Sequence, residues 1–162
     1  MSQSQQPSAP ADQIAVAAMW TEFCAATGAT GAPVDVFAFG LTAEQADDLG
    51  ALVLHGPKRA TAGLVADFEA EGTPLPQVGD HNVFVLGDGK PAGVLRTTDI
   101  RIGPLSSVDE QFAWDEGEGD RSLGYWLDVH RDYCRRRCEA LGQPYSEAVA
   151  VAFERFDLVW PR

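Results

Sequence analysis

The tetrapeptide Gly87-Asp88-Gly89-Lys90 constrains this chain more than any other short stretch. Its glycines admit the left-handed backbone of a tight turn. Two apolar, β-rich runs flank it, residues 82–86 and 92–98, so a β-hairpin is expected. Residues 99–102 extend the second strand. Helical spacing appears before the hairpin. Ile14, Ala18, Trp20 and Phe23 mark a helix that ends near Gly28. Residues 34–39 alternate as a short strand. Thr42, with Gln45 three residues on, caps a helix carrying Ala46, Leu49, Leu52 and Val53 on one face, which His55-Gly56-Pro57 stops. Lys58-Arg59-Ala60-Thr61-Ala62 then reads as extended, and residues 64–71 as a further helix. Beyond the hairpin come a helical turn at 108–113 and an acidic, glycine-broken loop at 114–120. Ser122 caps a helix to about Leu141, and residues 148–159 form a last strand. Strands and helices do not alternate regularly, which excludes a doubly wound parallel sheet. The expected fold is α+β: a small, mostly antiparallel β-barrel flanked by helices.

Length and charge narrow the class. The chain's 162 residues suit one domain, and 45% hydrophobic content suffices for a core. Residues 1–10, rich in Gln, Ser and Pro, read as a disordered tail, and 11–162 as the domain, with a helix about 11–28 and barrel and helices about 34–160. A formal charge of −12 excludes coating duplex DNA, where each neutralised phosphate needs a cation. No apolar run is long enough to span a membrane and no secretory signal is readable. Three cysteines without a framework suit a reducing compartment, so the expected location is the cytoplasm. No cofactor is expected, and no oligomeric state is assigned.

Four constellations carry chemistry, each with a plainer reading beside it. Lys58 and Thr61 pair a base with a hydroxyl nucleophile if the lysine loses its proton through burial or a cationic neighbour such as Arg59. In an ideal strand, residues three apart face opposite sides, and the pair is then a solvated lysine and a strand threonine. The run Asp115-Glu116-Gly117-Glu118-Gly119-Asp120-Arg121-Ser122 lacks the ligand pattern of a calcium loop. It reads as a solvated capping loop or as the carrier of one functional carboxylate. His130, Cys134 and Cys138 recur every fourth position, as zinc ligands would, yet they share a face with Trp126, Leu127 and Leu141, which favours a core lining. Arg131, Arg135, Arg136 and Arg137 hold four of the 12 basic residues, as helix-end stabilisers or as an RNA landing strip.

Three segments together resemble the ASCH-domain family, whose fold is similar to that of RNA-binding PUA domains. They are Phe37-Ala-Phe-Gly40 with Gly56-Pro-Lys-Arg-Ala-Thr61-Ala; Pro74-Leu-Pro-Gln-Val-Gly-Asp80 through Arg96-Thr-Thr98; and Val108-Asp-Glu-Gln-Phe-Ala113 to Glu116-Gly-Glu-Gly-Asp-Arg-Ser-Leu-Gly-Tyr-Trp126. One departure is Leu41, where many relatives carry an acidic residue. The resemblance implies a PUA-like barrel with a cleft and a role with RNA or a modified nucleoside. Some relatives are amidohydrolases that deacetylate N4-acetylcytidine using lysine, threonine and glutamate. Those roles map onto Lys58, Thr61 and Glu116, with Glu118 as the fallback. Other relatives are ribonucleases, and a non-catalytic RNA-binding module is a further alternative. The expected ligand contacts are Arg59, Glu118, Arg121 and Ser122, with Tyr125 or Phe39 as a stacking face; no metal is expected.

Overall fold

The structure, a computed structural model, describes residues 7–161. The elements run α1 (Gln13–Thr27), β1 (Asp35–Ala38), α2 (Ala43–His55), β2 (Ala60–Leu64), α3 (Val65–Glu71), β3 (His81–Val85), β4 (Pro91–Pro104), α4 (Glu110–Glu116), α5 (Leu123–Ala140) and β5 (Ala150–Trp160). The class is α+β, and the strands hydrogen-bond in the order β1-β3-β4-β5-β2. The sheet is mixed: β3 pairs antiparallel with β4 and β2 with β5, but β1 runs parallel to β3. That parallel pair is possible because more than 40 residues separate the two strands, room for a crossover.

The chain folds as two compact units. The first holds the described residues through Gly56, then Gly79–Arg96, and those from Asp157 onward. Here α1 begins at Asp12, whose carboxylate accepts the Ile14 and Ala15 amides, and it ends at Gly28 in the left-handed region. Its Val16 and Phe23 pack on Val83, Val85 and Val94 of the hairpin. The turn behaves as its sequence predicts. Gly89 is left-handed (φ 83°), and the Pro10 carbonyl lies where a side chain at this glycine would go. The Ala9 amide donates to Gly87, so part of the stretch assigned to the tail is hydrogen-bonded to the turn; residues 1–6 lie outside the described ones.

The second unit comprises Pro57–Val78 and Thr97–Phe156. Alternate residues Ala60 and Leu64 of β2 and Val151 and Phe153 of β5 meet Phe112 and Ala113 of α4 and Trp126, Cys134 and Cys138 of α5. The opposite parity puts Thr61 directly across from Glu154. One difference from the sequence reading matters for the site. The helical turn expected at 108–113 is a helix that runs on to Glu116, started by Asp109, which accepts the Phe112 amide at 2.8 Å.

Candidate functional site

The extension of α4 turns Glu116 inward. At Glu116 the helix presents its fourth residue after Phe112, on the same buried face. Gly117 then stops it in the left-handed conformation (φ 72°). A Cβ at this glycine would sit 2.8 Å from the Lys58 amide nitrogen, so only glycine lets the Pro57-Lys58 backbone press against the loop. Gly119 (φ 56°) lies similarly tight on the Tyr125 ring. The two glycines of the acidic run thus fix a loop that folds over Lys58.

Lys58 is 1% exposed, yet it has oxygen acceptors on every side. Its Nζ donates to the Ala60 carbonyl at 2.8 Å, to Glu118 Oε1 at 2.8 Å and, more weakly, to the Glu116 carbonyl at 3.5 Å. Glu116 Oε1 stands 3.7 Å away. Three acceptors around one nitrogen match the three donors of an ammonium group. Glu116 is buried and saturated. Its Oε2 accepts the Trp126 indole N–H, and its Oε1 lies 3.2 Å from His130 Nε2. The other imidazole nitrogen, Nδ1, faces the Trp126 carbonyl at 2.9 Å, and the ring stacks on the Trp126 indole at 3.7 Å. Both ring nitrogens face acceptors, an arrangement that suits an imidazolium beside a carboxylate. Burial alone would raise the Glu116 carboxyl, but the charges of His130 and Lys58 and its hydrogen bonds hold it below the usual carboxylate range. Burial alone would lower His130; attraction and hydrogen bonding to Glu116 outweigh it and the imidazole is raised. Two cations and two carboxylates balance here in a chain of net charge −12.

The other expected contacts divide. The Thr61 hydroxyl is half-buried and takes part in no hydrogen bond among the described residues; its cross-strand neighbour Glu154 accepts from Thr97 at 2.6 Å. The Arg59 guanidinium donates to the Lys58 carbonyl at 2.6 Å, and its amide to Asp115 at 2.8 Å. Arg121 stacks on Trp114, and Ser122 caps α5 through the Tyr125 amide. Tyr125 is 41% exposed, but Phe39 is buried at 4% in the first unit, between Phe37 and Phe84. Its ring is packed and does not offer the stacking face expected of it. The arginine cluster is engaged within the fold: Arg131 with Glu147, Arg136 with Asp132, Arg137 with Asp67, and Arg135 over Tyr145. Cys134 and Cys138 line the core, and no His/Cys/Asp/Glu group able to hold a metal occurs among the described residues. Sequence reasoning missed His130 and Trp126 as the partners of Glu116. The signal available was their position one turn apart on the buried face of α5.

A mixed sheet and a glycine-shaped loop that encloses a buried lysine with two glutamates define a PUA-like α+β protein. The chain belongs to the ASCH domain family, whose pattern it matches over residues 35–160. It is similar to the crystal structure of an ASCH domain from Lactobacillus crispatus JV V101, with a TM-score of 0.81 at 28% identity, covering 91% of this chain and 95% of that one. It is also similar to the crystal structure of a protein from Enterococcus faecalis V583 assigned to the family DUF984, with a TM-score of 0.82 at 26% identity, covering 90% and 88%. No curated protein matches the chain.

Proposed function

We propose that this ASCH-domain protein works on RNA-derived material as an amidohydrolase, removing an acyl group from the exocyclic amine of a modified cytidine. The observation that carries the reading is the Lys58–Glu118 contact. A buried amine sits 2.8 Å from a carboxylate that is itself 17% exposed, and it has a second, fully buried carboxylate behind it. Buried titratable groups with opposed partners are the usual mark of acid–base chemistry. Glu116, fixed by Trp126 and His130, orients the lysine. Glu118, reached by solvent, exchanges protons.

The reaction follows from those roles. The Lys58 ammonium passes one proton to Glu118, and the resulting amine takes the Thr61 hydroxyl proton as Oγ1 attacks the acyl carbonyl. Substrate binding has to bring Thr61 within hydrogen-bond reach of Nζ. The tetrahedral intermediate collapses, the C–N bond breaks, and Glu118 returns its proton to the leaving amine. A water molecule, deprotonated by Glu118, then attacks the threonine ester. The carboxylic acid departs and Thr61 regains its proton from Lys58; Glu118 returns the proton from water to Lys58.

Purified protein assayed on N4-acetylcytidine should release acetate. Lys58→Ala and Thr61→Ala should each lower the rate by at least about 10²-fold, the low end for a positioned acid–base group. Lys58→Arg should not restore it, because guanidinium stays protonated. Deacetylation that survives Lys58→Ala would defeat the mechanism. RNA cleavage without deacetylation would replace it by a ribonuclease reading, and RNA binding with neither activity by a binding module.

A further inference from the structure

Beside the Lys58–Glu118 pair stands a cation that the reaction does not use. Glu118-Gly119-Asp120-Arg121 forms a tight turn, closed by the Arg121 amide donating to the Glu118 carbonyl at 2.9 Å. Arg121 takes φ 64°, the one left-handed residue among the described ones that is not a glycine, whereas nine glycines hold positive φ. A side chain is unfavourable in that conformation, and such strain gathers at functional positions. The guanidinium lies over the Trp114 indole at 3.7 Å, and its Nε donates to the Trp114 carbonyl at 2.9 Å. Trp114 is 53% exposed.

The loop is crowded with carboxylates, yet none pairs with Arg121 among the described residues. Asp115 is taken by Arg155 at 2.9 Å, Glu116 by His130, and Glu118 by Lys58. Asp120 accepts the Ser122 amide at 2.8 Å. Three of these carboxylates are therefore paired with other cations and the exposed Asp120 with a backbone amide, while the terminal nitrogens of Arg121 are held on an aromatic platform without an acceptor of their own among those residues. A fixed guanidinium with an open edge matches a phosphate, which it binds through two parallel hydrogen bonds.

We infer that Trp114 and Arg121 form a phosphate-recognition platform, so that the site selects a cytidine carrying a phosphate rather than a free nucleoside. The inference rests on the nucleoside-directed function proposed above and adds the ligand's charge to it. The phosphate has two sources, a free nucleotide or the backbone of an RNA strand.

The test is calorimetric binding of cytidine, cytidine 5′-monophosphate and a short oligocytidylate to the full chain and to Arg121→Gly. Charge-assisted hydrogen bonds predict that the monophosphate binds at least about ten-fold tighter than cytidine. Arg121→Gly should abolish that preference, because it removes the guanidinium while glycine keeps the left-handed turn. An oligocytidylate no tighter than the monophosphate supports the free nucleotide as the source; a tighter one supports the strand. Equal affinity for cytidine and its monophosphate overturns the inference, as does a preference that survives Arg121→Gly or the absence of binding by all three. Its failure is distinct from failure of the catalytic reading. Turnover without phosphate preference sinks only the platform, and phosphate preference without turnover sinks only the hydrolase.

Discussion

The two units solve the problem of an interior differently. In the first, Val16, Phe23, Val83, Val85 and Val94 close the core, and the buried polar residue Asn82 is satisfied by the Asp35 amide. The second buries Lys58, Asp67, Thr97, Glu116 and His130 beside its apolar cluster. Taking charges out of water is costly, and a buried ion pair seldom stabilises more than an apolar pair of the same volume. The second unit is therefore organised for what its charges can do, while the first is organised for packing. Chemistry is to be sought where burial of charge has no structural necessity.

The largest effects should come from breaking each interior by its own means. Phe23→Ala leaves a cavity among aromatic neighbours and should cost about 3–5 kcal/mol at any pH. Glu116→Gln should cost a comparable ~3–5 kcal/mol, because His130 remains buried without its counter-charge and Lys58 keeps only Glu118. The difference lies in pH dependence. As pH rises, His130 in the Glu116→Gln variant sheds its proton and the cost shrinks, whereas the Phe23→Ala cost stays level. Calorimetric unfolding across pH measures both; parallel curves for the two variants would erase the distinction.

The native chain should show the same contrast. The Glu116 carboxyl is lowered from 4.5, so its stabilisation is present above that value and lost as pH falls through the lower, folded-state one. His130 is raised from 6.5, so its stabilisation is full below that value and lost as pH climbs through the higher, folded-state one. The pair therefore contributes most between pH 4.5 and 6.5. Amide-exchange protection in α4 and α5 should peak in that window after correction for intrinsic exchange, and α1 should follow no such profile. A smaller change is expected at Asp67, which accepts Tyr133 Oη at 2.9 Å and Arg137 at 2.7 Å. Asp67→Asn should cost about 1–3 kcal/mol, as for a buried charged hydrogen bond. It should also let the Tyr133 hydroxyl, raised by burial and by the Asp67 charge, titrate at lower pH in ultraviolet absorbance.

Local signals made much of this legible. The Thr42 cap, the Gly87–Lys90 turn and the Ser122 cap each specify structure within a few residues, and α2, the hairpin and α5 follow them. Distance in the chain hid the rest. The parallel pairing of Asp35 with Asn82 depends on a crossover that no short window contains. Residues 115 and 116 read as loop because carboxylates beside glycine favour solvent, yet Asp109 starts a helix that carries both inward, to Arg155 and His130. Lys58 and Glu116 could be singled out by type and by family resemblance. Their meeting depends on Gly117, whose missing Cβ reads from sequence only as a turn signal.

The smallest expected effect isolates the comparison most cleanly, because the same residue does the same local job in each unit. Asp12 caps α1 by accepting the Ala15 amide at 3.0 Å, and Asp109 caps α4 by accepting the Phe112 amide at 2.8 Å. Replacing either by alanine removes the capping carboxylate, with two hydrogen bonds at Asp12 and one at Asp109, and should cost about 1 kcal/mol. The stability losses should therefore be alike. Activity should separate them, because α4 is only seven residues long and ends on Glu116, whereas α1 packs on an apolar hairpin. Fraying at Asp109→Ala shifts the carboxylate that orients Lys58, and a displacement of about 1 Å at a catalytic group is enough for a 10²-fold loss. Acetate release by Asp109→Ala should thus fall well beyond what its unfolded fraction explains, with Asp12→Ala at the native rate. Equal activity in the two variants, each with the same drop in melting temperature, would show that α4 supports the site no more closely than α1 does.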